Sequence, residues 1–415
     1  MTTPTHARMP SQPSGVPFNV LLLEAVHSSA DDIFADRAVR IERKSGALKD
    51  DELVRALEGV HLLGIRSKTQ VTERVLAAAK DLLAVGCFCI GTNQVDLVAA
   101  NRLGIPVFNA PFSNTRSVAE LIIGEMVVLA RQLGDRSREV HAGAWRKVSG
   151  GCFEVRGKTL GIVGYGHIGQ QLGVLAEAMG MRVVFHDIVP KLPMGNNRAL
   201  STLRELLETA HFVSLHVPAT PETRDLVGAE ELAAMRPGSY LLNAARGSVV
   251  TIPALAAALA KGHLGGAAID VYPEEPEGNS DGFRTDLAGL PNVLLTPHIG
   301  GSTEEAQEAI GREVGYKLAK FVTTGATTGA VNFPEVELPP QKDGHRILNV
   351  HRNVPGVLRD VNRIVSDLNA NIDSQVLATD AQIGYLIVDM HHDVSTEVSR
   401  AIGALETSIR TRVLY

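Results

Sequence analysis

Arg246, Glu275 and His298 each follow one of three successive segments that read as buried strands, near 239–243, 265–270 and 293–296. Strands alternating with helices build a parallel sheet, and such sheets bind ligands beyond the carboxyl ends of their strands. A histidine, with an unperturbed pKa of about 6.5, can take a hydroxyl proton near neutral pH and return it in the reverse reaction. A neighbouring carboxylate orients the ring and stabilises its charged form. A guanidinium grips a carboxylate through two parallel hydrogen bonds and polarises an adjacent carbonyl. His298 as base and acid, Glu275 as its partner and Arg246 as the anchor form a set suited to oxidising a 2-hydroxy acid. Glu274 stands beside Glu275 and competes for its role. Singly, each residue is equally explained otherwise, His298 as a cap of the following turn, Glu275 as a solvated loop acid and Arg246 as a strand-end cap; only their joint placement points to chemistry.

Such a reaction needs a hydride acceptor, and the chain offers a place for one. Residues 159–163 read as a strand, followed by Gly164-Tyr165-Gly166-His167-Ile168-Gly169 and a helix that opens at His167 or Ile168. In the G-x-G-x-x-G pattern the first glycine permits the tight turn, the second admits a pyrophosphate, and the third lets helix and strand approach. The helix N-terminus supplies N–H groups to the phosphates. A second strand, 182–186, ends at Asp187, 18 residues beyond Gly169, where a carboxylate accepts bonds from an adenosine ribose and repels a 2′-phosphate. The expected cofactor is therefore NAD. Asp270 ends its own strand and either holds the nicotinamide amide or orders the site.

These residues need a scaffold, and 415 residues with 45% apolar content are enough for two to three domains. A net charge of −6 and the lack of a basic block argue against nucleic acid and anionic membranes as partners, and no apolar run is long enough to span a bilayer. Residues 1–17, rich in Pro, Ser and Thr, read as a disordered tail and not a targeting peptide. The three cysteines, Cys87, Cys89 and Cys152, lack metal-ligand spacing; no metal is expected, and a reducing, cytoplasmic setting is.

Taken in order, strands near 18–24, 60–66, 82–86 and 106–109 alternate with helices near 50–58, 72–79 and 94–103, giving a first, smaller α/β unit. Arg66, Ser67 and Lys68 close one of its strands, a place for a phosphate or second carboxylate. A long helix over 114–131, apolar in its middle except for Glu125, reads as buried between domains. The stretch 140–152 carries Trp145, Arg146 and Lys147, either an arm at a subunit contact or an ordinary surface loop. Six strands from 159 to 296 then match a doubly wound fold. Residues 303–322 are helical and 332–343 read as a linker. The last 70 or so residues follow the order strand 346–351, helix 356–368, strands 371–379 and 382–391, helix 394–406 and strand 409–414, the ferredoxin-like β-α-β-β-α-β arrangement.

The glycine motif, Asn243-Ala244-Ala245-Arg246-Gly247, Glu275-Pro276 and Thr296-Pro297-His298-Ile299-Gly300-Gly301, together with 109–117, resemble the D-2-hydroxyacid dehydrogenase family, from about residue 18 to the end. The resemblance implies a flavodoxin-like substrate domain (18–113 and 304–332), a Rossmann domain (114–303), a linker (333–343) and an ACT regulatory domain (344–415). It implies Arg246, Glu275 and His298 as catalytic trio; cofactor contacts at Gly164, Gly166, His167, Ile168, Gly169, Asp187, Ala244, Ala245, Asp270, Gly300 and Gly301; and substrate contacts at Arg66, Ser67 and Asn114, to which Lys147 in the tryptophan arm is added for its charge alone. Further implied are 3-phosphoglycerate as substrate, L-serine as effector at His351, Asn353 and Asn371, and a homotetramer. The same chemistry on another acid, such as 2-hydroxyglutarate or hydroxypyruvate, and a non-catalytic NAD sensor are the alternatives. Ala245 departs from the serine usual before the motif arginine.

Overall fold

The computed structural model describes residues 18–35, 39–276, 281–339, 344–390 and 395–414. The tail expected over 1–17 and the end of the expected linker, 340–343, lie outside the described residues. The chain forms two compact units, one of residues 114–306 and one that joins the first 113 residues to those from 307 onward.

The N-terminal part of the split unit is a five-stranded sheet of order β2-β1-β3-β4-β5, built from β1 (Phe18–Leu22), β2 (Val39–Arg43), β3 (Leu62–Ile65), β4 (Ala84–Cys87) and β5 (Val107–Asn109). All pairs are parallel, which is the flavodoxin-like order expected. Apolar residues of Asp50–Ala56, Glu73–Ala78 and Leu97–Arg102 cover one face. Ser29–Phe34 and the long helix Glu304–Thr324 cover the other. Strand β2 escaped the reading of the sequence because Arg40, Glu42 and Arg43 leave only Val39 and Ile41 to signal an edge strand.

The 114–306 unit has a seven-stranded parallel sheet, β6 (Thr159–Val163), β7 (Arg182–His186), β8 (Arg198–Ala199), β9 (Phe212–Leu215), β10 (Tyr240–Asn243), β11 (Gly266–Ile269) and β12 (Val293–Leu295), in the order β12-β11-β10-β9-β6-β7-β8. The strand order reverses between β6 and β9, the switch point where doubly wound sheets take their ligand. The exposed, two-residue β8 has too little pattern to be read from sequence. Helix Thr115–Ala130 packs Ala119, Ile122, Met126 and Leu129 into the core of this same sheet, with Leu160, Phe185 and Phe212. That packing accounts for the apolar stretch that suggested burial between domains.

The C-terminal part of the split unit is an antiparallel sheet, β13 (His345–Arg352), β14 (Ile372–Thr379), β15 (Ile383–Met390) and β16 (Ser408–Leu414), in the order β14-β15-β13-β16. Helices Val357–Asp367 and Ser395–Gly403 cover one face; this is the ferredoxin-like arrangement expected. Phe333 and Val336 pack into the other face with Leu348, Val350, Ile383 and Tyr385. Within the stretch read as a linker, Phe333, Pro334 and Val336 are thus buried, while Glu335, Glu337 and Pro339 stay exposed. Asn332 accepts from the Val107 N–H and donates to Ile105 O, while Thr327 Oγ1 accepts from the Val336 N–H at 2.8 Å. Prolines and charges at 334–340 mask an apolar alternation that buries side chains.

The sheet also grips the C-terminal end of Glu304–Thr324. Arg412 Nη2 donates to the carbonyls of Phe321 (3.1 Å) and Val322 (3.0 Å). Arg346 Nη1 donates to Thr324 O at 2.8 Å while its other nitrogens make a bidentate pair with Asp389. Tyr385 Oη donates to Gly325 O at 2.7 Å. Cations suit the negative end of a helix. Burial brings Arg412 down to about 10, still charged at neutral pH.

Candidate active site

The glycine turn after β6 is shaped by what it must avoid. Gly164 has φ +89°, and a Cβ there would lie 2.5 Å from His216 O. A Cβ on Gly169 would lie 2.4 Å from Gly164 O, so helix His167–Ala178 seats against the turn only without a side chain. At Gly166 a Cβ meets nothing within 4 Å, so the open space lies outside the protein, in front of a helix start that no side chain caps. Exposed His167 and half-buried Ile168 open that helix. Asp187, at the end of β7, accepts from the Tyr165 N–H (2.8 Å) and the Val189 N–H (2.9 Å), one bond on each oxygen. Each oxygen keeps a lone pair for a diol. An open second glycine, an uncapped helix start and a carboxylate at the next strand end fit a dinucleotide's pyrophosphate and ribose.

The trio comes together. His298 Nδ1 lies 2.7 Å from Glu275 Oε2, with the side chains 49% and 34% exposed. The Tyr272 N–H donates to the other Glu275 oxygen at 3.0 Å, which fixes the carboxylate in the loop after β11. Between the neighbouring acids Glu274 and Glu275, it is Glu275 that meets the histidine. The bond from Glu275 raises the His298 pKa against the opposing effect of burial. For Glu275, burial pushes the carboxyl up, but the histidine and the Tyr272 N–H outweigh it and the net shift is downward. Arg246 is half-buried after β10, its Nη1 donating to Ala245 O at 2.6 Å, and its charge lowers both Glu275 and His298. Ala244 is half-buried and Ala245 buried in the same loop.

Asp270 orders the loop that carries His298. Its Oδ1 accepts from Thr296 Oγ1 (2.7 Å) and the Ile299 N–H (2.8 Å), its Oδ2 from the Gly300 N–H (2.8 Å), and its carbonyl from the His298 N–H (2.7 Å). His298 sits at φ +55°, a left-handed conformation uncommon for a side-chain-bearing residue, and these bonds hold it there. Asn114 stands against Gly301, where a Cβ would lie within reach of its side chain, so it belongs to the same loop cluster. Lys147 is exposed in the stretch with Trp145, itself 84% exposed.

The other sequence-nominated residues lie in the split unit. Arg66 is half-buried and Ser67 exposed at the carboxyl end of β3. His351 is buried in β13, its Nδ1 3.1 Å from Asn349 Oδ1 and its ring against Gly384; burial lowers its pKa. Asn353 Nδ2 donates to Asp380 O at 2.7 Å, and Asn371 is exposed before β14.

Two ionisable groups shifted by burial are given no role by the sequence reading, and only the first is noted there. Glu125 is 6% exposed in helix Thr115–Ala130, and burial, then the Asp270 charge, raise its carboxyl to about 8. Its signal is a lone acid in an apolar helical run. His216, after β9, contacts Ser214 Oγ at 2.8 Å and is held down to about 4 by burial. Its signal is a histidine closing a strand at the switch point. Among the described residues no cluster of His, Cys, Asp or Glu is placed to hold a metal ion, and no helix is long and apolar enough to cross a membrane.

Gly247, next to Arg246, gives a stability test. A Cβ there would lie 1.9 Å from the Tyr272 carbonyl carbon, where backbone meets backbone. Gly247→Ala is expected to destabilise the protein by about 3 kcal/mol, read as a lowered denaturant midpoint. An unchanged midpoint would mean that the two loops are not so closely packed.

Known proteins place this site in context. Residues 123–300 match the model of the D-isomer specific 2-hydroxyacid dehydrogenase NAD binding domain, and residues 347–410 that of the AHAS small subunit-like ACT domain. The D-3-phosphoglycerate dehydrogenase of Dictyostelium discoideum is 56% identical over 396 residues, covering 95% of this chain and 97% of its own. That of Escherichia coli K12 is 53% identical over 398 residues, with the same coverages. Among solved structures, the D-lactate dehydrogenase of Aquifex aeolicus complexed with NAD and lactic acid superposes with a TM-score of 0.65 at 27% identity, over 76% of this chain and 100% of that one. Fold, glycine turn and near full-length identity agree: the chain is an NAD-dependent member of the D-isomer specific 2-hydroxyacid dehydrogenases, within their D-3-phosphoglycerate dehydrogenase group, and carries a C-terminal ACT domain.

Proposed function

We propose that the chain oxidises the C2 hydroxyl of 3-phosphoglycerate to give 3-phosphohydroxypyruvate, and that L-serine inhibits it through the ACT domain. The observation that carries the catalytic reading is the 2.7 Å contact between His298 and Glu275 in a loop held by Asp270. Bound NAD+ supplies the hydride acceptor. With Nδ1 engaged by Glu275, Nε2 of His298 takes the hydroxyl proton; in reduction it returns it. Glu275 holds the ring and stabilises the imidazolium. Arg246 grips the substrate carboxylate and polarises the forming carbonyl. Asp187 accepts from the adenosine ribose, and Arg66 with Ser67 serves the phosphate. The relatives' names support this substrate. His351, Asn353 and Asn371 bind serine, the assembly is a homotetramer, and the enzyme works in the cytoplasm.

NADH formation from 3-phosphoglycerate and NAD, with and without serine and against 2-hydroxyglutarate, tests the reading. Turnover of 3-phosphoglycerate suppressed by serine is expected; preference for the rival acid would move the substrate assignment, and indifference to serine would remove the effector site.

The pH dependence follows from the Glu275 contact. Oxidation needs neutral His298, so kcat/KM for oxidation falls as pH drops through its raised pKa, and that for reduction falls as pH rises through it. Glu275→Gln removes the main cause of the elevation and is expected to move both limbs to lower pH. Limbs that stay in place would deny Glu275 its role.

A further inference from the structure

The loop that presents Arg66 and Ser67 is held from below by two buried side chains of other loops. Glu24, 7% exposed and just beyond β1, accepts from the Lys68 N–H at 2.9 Å through Oε2 and from the Thr69 N–H at 2.8 Å through Oε1. Gln94, 3% exposed and beyond β4, donates from Nε2 to the Arg66 carbonyl at 2.6 Å and to the Gly91 carbonyl at 3.2 Å. The backbone of 66–69 is therefore fixed at the carbonyl before Ser67 and at the two amides after it. Ser67 and Lys68 stay exposed, and Arg66 half-buried. Glu24 and Ala25 both lie in the left-handed region, at φ +59° and +50°. Two successive side-chain-bearing residues keep that conformation only where their surroundings enforce it, and such strain gathers at working sites. A carboxylate accepting two amides is a charge-assisted pair, stronger than the bonds of a neutral cap.

We propose that Glu24 and Gln94 are positioning residues that hold loop 66–69 in the conformation presenting Arg66 and Ser67 to the phosphate of the substrate. The proposal rests on the assignment of Arg66 to the phosphate made above. The pair acts through the backbone of the loop and touches neither substrate nor cofactor.

Steady-state kinetics with 3-phosphoglycerate on Arg66→Ala, Glu24→Gln and the double variant separate the possibilities, with NADH affinity by fluorescence as control. Glu24→Gln turns one acceptor into a donor facing an N–H. It is expected to raise KM about tenfold, to change kcat by less than about threefold, and to leave the NADH affinity as it was. In the Arg66→Ala background the same substitution should add less than about twofold, because the side chain being positioned is gone. If Arg66→Ala leaves KM unchanged, the phosphate assignment fails and takes this proposal with it. If Arg66→Ala raises KM but Glu24→Gln does not, the proposal alone fails. An equal rise with and without Arg66 also overturns it, since Glu24 would then act elsewhere. Should Glu24→Gln not fold, Gln94→Met, which loses the donor to the Arg66 carbonyl, enters the same cycle with the same expected outcomes.

Discussion

His298→Ala is expected to lower kcat/KM for oxidation of 3-phosphoglycerate roughly a thousandfold while NADH still binds. General acid–base catalysis by a positioned side chain contributes about 10²–10⁴-fold, and this ring has a fixed partner, a fixed backbone and a raised pKa. Without it the hydroxyl proton must leave to water. The loss should fall on kcat and kcat/KM alike, because the proton moves only in the transition state. NADH affinity should survive because the glycine turn and Asp187 stand on other loops of the sheet. Persisting turnover in the variant would remove His298 as the base. Lost NADH binding would show instead that the substitution had disturbed the Asp270-bound loop.

Arg246→Lys is expected to cost roughly a hundredfold to a thousandfold in kcat/KM, with both KM and kcat affected. A guanidinium offers a planar pair of donors that an ammonium cannot reproduce, and removing one donor at a developing oxyanion typically costs about 10²–10³-fold. KM rises because the carboxylate loses its fork in the ground state. The fall in kcat comes from the weaker polarisation of the forming carbonyl. Retained kcat with a raised KM alone would confine Arg246 to binding.

The sequence carried the site in its alternation. Arg246, Glu275 and His298 follow three adjacent parallel strands, β10, β11 and β12, so reading strand ends brought them together before any distance was known. The glycine turn was readable because each glycine answers a local steric demand. What stayed hidden acts at long range or lacks a pattern. Glu24 looks like the last residue of a strand, and nothing near it announces bonds to amides 44 and 45 residues away. Glu275 was preferred to Glu274 for its place before Pro276, but the Tyr272 N–H that turns its carboxylate had no mark in the sequence. Strand β2 and the packed stretch 332–339 were obscured by charges and prolines whose apolar neighbours bury one side chain at a time.

Arg346, Tyr385 and Arg412 close the last carbonyls of the long helix, and Phe333 and Val336 fill the space beside them. The C-terminal sheet is therefore not a detachable appendage. Severing the chain near 335 would leave the carbonyls of Val322, Thr324 and Gly325 without these side-chain donors, only Phe321 O keeping the Gly325 N–H, and would open an apolar face to water, so a shortened protein would aggregate for reasons unrelated to serine. In a scanning calorimeter the two sheets of the split unit should melt in one endotherm. Arg412→Leu should divide it, letting the C-terminal sheet come loose first.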